Sequence, residues 1–497
     1  MLNGLVQIKD WESRPKQLAQ THELFESLET FVVTRAESYP WTGRDMNNGA
    51  VTHYMRILGN ARLYDKMFEV FHGLPPIGPL SPGAHEYSSL FTCLIERPPT
   101  EDQTSAEARM KNAADARFLW ESVVRRSERV DVDATLLHQV IRALSFGKRA
   151  EHALVFDIIH DYLGLEKPQP RVKADTPSDT SPHKPDLGFG GARTQTNEDA
   201  VIERKPPRQL VEFSSPLLQW VLEFCNYTRH YELCAQWLRV VMKRDHEGDW
   251  QIPDSGHIQQ GLLAYAGAAL RASHEGAPGN GEPRKVVRLL EEVTREIAYH
   301  PSKARALELS GSAFEVAMAT CTFGKDWSSA TKVFELMAGY DLAVFADGRD
   351  HTPQKLPRSG YFQLNPDTIT MGYLARLAIE LKDASIQRQC VRAVLALGGA
   401  RLLEYTPYDK AHDKYAPFYK QKMAQAVIKL ADTTDRVGLA LDVETQHRWK
   451  LLASAADKVL RHTREFDDVP VPPVERRSVP ELSSAARYKK SRGAGRR

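Results

Sequence analysis

Apolar residues recur at the three- and four-residue spacing of an α-helix along nearly the whole chain, and no clean period-two alternation stands out. The pattern predicts an opening helix whose apolar face carries Leu18, Phe25, Leu28, Phe31 and Val32. A closing helix is predicted in the same way around residues 449–460. Because the helical period dominates throughout, the sequence predicts an all-α protein.

A degenerate helix-turn-helix pattern repeats along the chain. Segments 58–74 and 321–337 align without a gap: an apolar residue ends one helix, and a short polar turn follows. A small or flexible residue then comes nine positions after the end of the first helix, at Met67 and Ala330. A third copy places Ala153 at that position. Repeated helix pairs of this kind are typical of proteins that stack one structural unit on the next.

This pattern resembles the pentatricopeptide repeat family. The matching features are the turn-plus-helix pattern, the repeat starts at Val132-Asp133 and Pro366-Asp367, and the Ala-x-x-Val-Phe-Glu-Leu-Met string that begins at Ala330. About seven units would cover residues 48–397. The resemblance implies helical-hairpin repeats that form an α-solenoid, a superhelix whose first helices line a concave groove facing RNA.

A proline- and glycine-rich segment, residues 167–208, interrupts the array. It has almost no large apolar residues, which predicts a disordered insertion between two arms of the solenoid. Two shorter polar insertions, 98–111 and 273–284, are expected between the two helices of one repeat. The predicted organisation is an N-terminal helical cap, a first arm of repeats, the insertion, a second arm, C-terminal helices and a basic disordered tail, at 1–47, 48–166, 167–208, 209–400, 401–466 and 467–497.

Composition excludes several classes of protein. Apolar residues make up 42% of the chain and charged residues 26%, so wholesale disorder is not expected. No apolar run reaches the roughly 18 residues that a membrane-spanning helix requires, so no membrane span is predicted. The net charge is only +2, but residues 474–497 hold eight basic and two acidic residues. This tail predicts either phosphate contacts or a solubilising terminus.

Nothing in the sequence indicates catalysis, a cofactor or a small-molecule substrate. The five cysteines lie within apolar helical patterns, which predicts reduced thiols in the core. No CxxC motif occurs in the sequence, so no zinc site is predicted. Residues 347–351 gather possible metal ligands in one loop, but further carboxylates at fixed positions are missing. A solvated loop and no metal site are therefore expected.

The resemblance implies that a residue on the first helix, with the last residue of the repeat, reads one RNA base by hydrogen bonding. Alignment places that position at Thr52, His138, Glu315 and Gly372. Glu315 and Gly372 depart from the Asn, Ser, Thr or Asp usual in the family. Recognition of RNA shape or backbone is therefore expected rather than a base-by-base code. The alternative is that these are surface residues of a protein-binding solenoid.

Two further segments are candidates for RNA contact. Residues 408–422 interleave aromatic rings with lysines, which suits base stacking and phosphate neutralisation and singles out Lys410, Lys414 and Tyr415. The same composition suits a capping helix whose rings pack on the last repeat. In the tail, the candidate phosphate contacts are Arg487, Lys489, Lys490 and Arg492.

The resemblance implies a non-catalytic RNA-binding protein of mitochondrial RNA metabolism or translation. Its expected partners are mitochondrial mRNA or rRNA and proteins of the mitochondrial small ribosomal subunit. The first thirty residues are too acidic for a typical presequence, so the mitochondrial location rests on the resemblance alone. The alternative is a protein-protein scaffold of tetratricopeptide-like helical repeats without RNA contact, which an apolar or acidic groove would favour over a basic one.

Overall fold

The structure of the protein is a computed structural model. The residues that it describes are 2–38, 49–75, 81–126, 130–168, 210–244, 253–276, 281–353, 355–356, 364–404, 415–437 and 441–463. Nearly all of the predicted insertion at 167–208 and the whole tail at 467–497 lie outside these ranges. Contacts divide the chain into two compact units, which we call unit 1 (Met1–Trp220) and unit 2 (Val221–Arg497).

Within the described ranges the chain forms α-helices, three short 3-10 helices and no strand, which confirms the all-α prediction. The helices before the unit boundary are α1 (Leu2–Leu5), α2 (Pro15–Ser38), α3 (Gly49–Asn60), α4 (Tyr64–Gly73), α5 (Ala84–Glu96), α6 (Ser105–Arg125), α7 (Ala134–Leu144) and α8 (Arg149–Leu163). Helix α9 (Ser215–Tyr227) contains the boundary itself.

The remaining α-helices are α10 (Tyr231–Arg244), α11 (Ser255–Glu275), α12 (Glu282–Tyr299), α13 (Ala304–Leu307), α14 (Gly311–Phe323), α15 (Trp327–Ala338), α16 (Thr368–Leu381), α17 (Ala384–Leu397), α18 (Ala416–Val437) and α19 (Val443–Thr463). The 3-10 helices are Pro301–Lys303, Leu342–Phe345 and Gly399–Leu403. No helix in the described part of the chain is both long enough and apolar enough to cross a membrane.

Aspartates begin the first helices of three hairpins, and they explain the predicted repeat starts. Asp133, Asp254 and Asp367 stand immediately before α7, α11 and α16. In each case a carboxylate oxygen accepts a hydrogen bond from a backbone N–H of the first turn, at 2.7, 2.9 and 2.9 Å. The first N–H groups of a helix have no partner within the helix, and such a cap stabilises it by about 1 kcal/mol.

In unit 1 the helices pack as successive pairs. Helix α3 packs on α4 and α5, α5 packs on α6 and α7, and α7 packs on α6 and α8. Burial of apolar side chains holds these helices together. On α7, the completely buried positions are Leu136, Leu137, Val140, Ile141 and Leu144. At about 1.5–3 kcal/mol for each such side chain, packing between neighbouring hairpins is the main source of stability.

Unit 2 repeats this alternation. The first helices contact one another in sequence, α11 with α14, α14 with α16, and α16 with α18. Each also packs on its own second helix, as α11 does on α12 and α14 on α15, and the second helices α12 and α15 pack together. Each unit therefore has the contact pattern of a helical repeat.

The aligned ninth positions are buried in two copies and exposed in the third. Met67 and Ala330 are fully buried. They lie nine positions after Leu58 of α3 and Cys321 of α14, respectively. In the third copy Ala153 is exposed, whereas its neighbour Leu154 is buried. The ninth position therefore faces inward in two copies and not in the third.

The N-terminal segment covers the first hairpin. Leu2, Val6 and Trp11 form a cluster with Ile57 of α3, and Phe25 of α2 stacks on Tyr54 with ring centroids 3.9 Å apart. The predicted apolar face of the opening helix is only partly inward, because Phe31 is 57% exposed. Helix α2 therefore contacts α3 over only part of its length.

All five cysteines are buried and free, which confirms the prediction of reduced core thiols. Burial raises the pKa of each, to about 12 for Cys93 and Cys390. These side chains are therefore protonated at neutral pH and act as small apolar residues.

Candidate nucleic-acid interface

The four aligned base-reading positions all lie on first helices, but their environments differ. Thr52 on α3 and His138 on α7 are half-buried, whereas Glu315 on α14 and Gly372 on α16 are buried. Gly372 has no side chain, and a Cβ there would lie in ordinary contact with Met423, 3.9 Å from its Sδ. These positions therefore do not form one uniform set of base-contacting groups.

Thr52 forms a hydrogen bond between two helices. Its Oγ1 donates to Oε1 of Glu86 on α5 at 2.6 Å, and the other carboxylate oxygen of Glu86 accepts from the backbone N–H of Gly83 at 2.8 Å. Glu86 is almost completely buried and caps α5 through this second bond. The Thr52 hydroxyl thus links α3 to the N-terminus of α5, and this link would have to break before it could read a base.

The other predicted contacts are largely outside the structure. Lys410 and Lys414 lie outside the described residues, as do the tail residues Arg487, Lys489, Lys490 and Arg492. Tyr415 stands half-buried immediately before α18. In α18 itself Phe418 and Tyr419 are buried, so these two rings pack within the fold.

His138 is part of a cluster of rings and guanidinium groups in unit 1. Its ring centroid lies 6.4 Å from that of Trp220, with the planes tilted by 46°. The Arg142 guanidinium lies 5.6 Å from the Trp220 ring centroid, and Phe146 meets the same ring edge-on at 6.3 Å. Arg109 of α6 lies 5.3 Å from the ring centroid of Phe146. We call these five residues the Trp220 cluster.

The Trp220 cluster holds two guanidinium groups next to a neutral His138. Burial and, second to it, the neighbouring charge of Arg142 lower the pKa of His138 to about 4. A cation over an aromatic face is attracted by the ring quadrupole, and stacked rings suit a planar ligand. The arrangement can therefore offer stacking and positive charge together.

Two more first helices carry a cation over an aromatic ring. On α16 the Arg376 guanidinium lies 4.3 Å from the Tyr373 ring centroid, and on α18 Lys422 Nζ lies 5.3 Å from that of Phe418. Both pairs are local, because a residue and its third or fourth neighbour share one face of a helix. The rings of both pairs are buried, with Tyr373 1% and Phe418 7% exposed, so neither pair offers a free ring face for stacking.

Sequence reasoning missed most of the Trp220 cluster. His138 and Arg142 are four residues apart on α7, a spacing that places side chains on one helix face and could have indicated this pair, whereas Phe146 lies in the turn after the helix. Arg109 and Trp220 come from distant segments, and only the packing of α6, α7 and α9 brings them next to the side chains of His138, Arg142 and Phe146. Local sequence contains no signal for that contact.

The loop at 347–351 is exposed from Asp347 to Asp350, as the sequence predicts, and arginines bind its first residue. Asp347 accepts hydrogen bonds from Nε of Arg388 at 3.0 Å and from a terminal nitrogen of Arg392 at 2.8 Å, both on α17. These bonds hold the pKa of Asp347 well below its usual range. Among the described residues, no group of three or more His, Cys, Asp or Glu side chains is placed to hold a metal ion.

The pH dependence of stability should report the neutral state of His138. Its folded pKa of about 4 lies below the unfolded value near 6.5, so unfolded chains bind more protons between these limits. Stability should therefore be full above about pH 6.5 and fall as the pH drops towards 4, by on the order of 1 kcal/mol after allowance for partial exposure. Urea unfolding across this range should show a smaller loss for His138→Phe than for wild type. An identical loss would mean that other histidines, such as His22 and His152, carry the effect.

No protein-family model matches the sequence, and no curated protein matches it.

Proposed function

We propose that the protein is a non-catalytic RNA-binding helical-repeat protein of the pentatricopeptide type. Its paired helices form an α-solenoid, and it acts in mitochondrial RNA metabolism or translation. Mitochondrial mRNA or rRNA is the ligand, and proteins of the mitochondrial small ribosomal subunit are the partners that the resemblance suggests. The observation that carries RNA binding is the Trp220 cluster, in which the guanidinium groups of Arg142 and Arg109 lie beside the half-buried rings of Trp220 and Phe146.

This observation supports RNA because single-stranded nucleic acid needs two things from a protein. Bases stack on aromatic rings, and phosphates are neutralised by nearby cations. The Trp220 cluster combines both functions on α6, α7 and α9 and therefore suits a single strand. Such binding tolerates many sequences, in agreement with the dissimilar environments of Thr52, Glu315 and Gly372.

The test is binding of a fluorescent single-stranded RNA to the full-length protein across a salt series. Removing both cations of the Trp220 cluster in Arg109→Ala/Arg142→Ala should weaken binding at least tenfold and flatten the dependence of affinity on salt. The matched control is Arg288→Ala/Arg295→Ala, because these two arginines are exposed on the second helix α12. It should stay within about twofold of wild type.

A second candidate function, a protein-protein scaffold, is favoured by large apolar side chains exposed on second helices. Phe118 on α6 is 69% exposed and Tyr299 on α12 is 73% exposed. Exposed aromatic rings are enriched where proteins dock on each other. If wild type fails to bind RNA at low salt and Phe118→Ala/Tyr299→Ala loses a protein partner, the scaffold function replaces the RNA-binding one.

A further inference from the structure

Two polar atoms on successive residues of α7 are buried without a partner. Nε2 of His138 and Oε1 of Gln139 are both shielded from solvent, and neither makes a hydrogen bond within the described part of the chain. A buried polar group without a partner costs the desolvation energy that a hydrogen bond would offset. Two such groups on successive residues are therefore a place where a ligand would bind favourably.

The hydrogen bond between these two side chains determines which of the two unpartnered atoms is a donor and which is an acceptor. Gln139 Nε2 lies 3.4 Å from Nδ1 of His138, and the amide nitrogen carries only donor hydrogens. Nδ1 is therefore the acceptor. Because His138 is neutral, its proton lies on Nε2. The two buried atoms are thus one N–H donor and one carbonyl acceptor.

We propose that His138, Gln139 and Trp220 form a site for one unpaired RNA base. Trp220 stacks on the base, Nε2–H of His138 donates to an acceptor on the base edge, and Oε1 of Gln139 accepts from an N–H of the same edge. This inference rests on the proposed RNA-binding function. It differs from the arrangement that the family resemblance implies, because the second polar group is the next residue of the same helix and the stacking ring comes from α9.

The chemistry of the two atoms favours a base over an anion. A phosphate or carboxylate could accept from His138, but it has no hydrogen to donate to Gln139. The Watson–Crick edge of uracil places an N–H between two carbonyl oxygens and satisfies both groups. The adjacent Arg142 supplies positive charge for the phosphate of the same nucleotide.

Entry of the base requires a side chain to move, since both atoms are shielded. Trp220 is the candidate, because it is only half-buried and contacts its neighbours through its ring, at 6.4 Å from His138 and 6.3 Å from Phe146. Rotation of the indole about its side-chain bonds would uncover the His138 ring and leave the indole face free to stack on the base.

The test compares an eight-nucleotide uridine RNA with the same RNA methylated at N3 of every uracil. Methylation removes the N–H donor but leaves the ring able to stack. The full-length wild type should bind the unmethylated RNA at least fivefold more tightly. His138→Phe/Gln139→Met should bind both RNAs equally, with the affinity that wild type has for the methylated one. Trp220→Ala should weaken binding of both.

The outcomes separate this site from the general function. If wild type binds both RNAs equally well, the base site is wrong while RNA binding stands. If neither RNA binds, the proposed function fails and the base site fails with it. The single variant Gln139→Met is nearly isosteric with wild type and serves as a second test if the double variant misfolds. It should lose most of the preference for unmethylated over methylated RNA. A folded Gln139→Met protein that keeps this preference would overturn the proposal.

Discussion

Replacing Phe91 with alanine is expected to lower the free energy of unfolding of unit 1 by about 3–5 kcal/mol. Phe91 lies on α5 and is fully buried. Its helix packs against α3, α6 and α7, so the lost ring leaves a cavity that several helices surround. Hydrogen exchange of the full-length protein, read on peptides from α5 and α7, measures the loss within unit 1.

Phe118→Ala is the matched control for this change. Phe118 is a phenylalanine on α6, the other helix of the same hairpin, and it is largely exposed. Its replacement should change the free energy of unfolding by no more than about 0.5 kcal/mol. Equal losses for Phe91→Ala and Phe118→Ala would mean that the hairpin does not pack with α5 facing inward.

The sequence was sufficient to predict the hairpins because their stability comes from local and periodic features. An apolar residue every three or four positions predicts a helix, and the aspartates at 133 and 367 mark where two helices begin. Both signals act within one or two turns of chain. The turns of the three aligned copies could therefore be located from the sequence.

What the sequence could not predict depends on contacts between segments. The exposure of Phe31 depends on how much of α2 contacts α3, which the periodicity of α2 does not determine. The burial of Leu154 in place of Ala153 depends on the rotation of α8 about its axis, and one residue corresponds to about 100° of rotation. The rotation of a helix thus decides which side chain is buried without altering the helical pattern.

The candidate site was harder to predict than the fold for the same reason. His138 was found through an alignment position, but its partner Trp220 lies far along the chain on α9. Gln139 looks like an ordinary polar residue in the sequence, and its importance comes from a buried oxygen without a partner. Burial and hydrogen bonding are properties of the packed molecule, and neither is encoded by residue type alone.

Replacing Gly267 with alanine is expected to destabilise unit 2 by about 1–3 kcal/mol, although alanine favours helices. A Cβ at this position on α11 would lie 2.5 Å from Cε1 and 2.6 Å from Cζ of Tyr231, the first residue of α10. The Tyr231 ring is buried and has the Arg271 guanidinium 5.6 Å from its centroid. Since the ring is rigid and enclosed, the two helices must separate to admit the methyl group.

The matched control for Gly267→Ala is Gly372→Ala, within another first helix of unit 2. There the nearest atom to an added Cβ is Met423 Sδ at 3.9 Å, so alanine fits and should stabilise the helix by about 0.5–1 kcal/mol. Hydrogen exchange on peptides from α11 and α16 should give changes of opposite sign for the two variants. If Gly267→Ala stabilised the protein as Gly372→Ala is expected to, then α10 and α11 would not approach as closely as the structure places them.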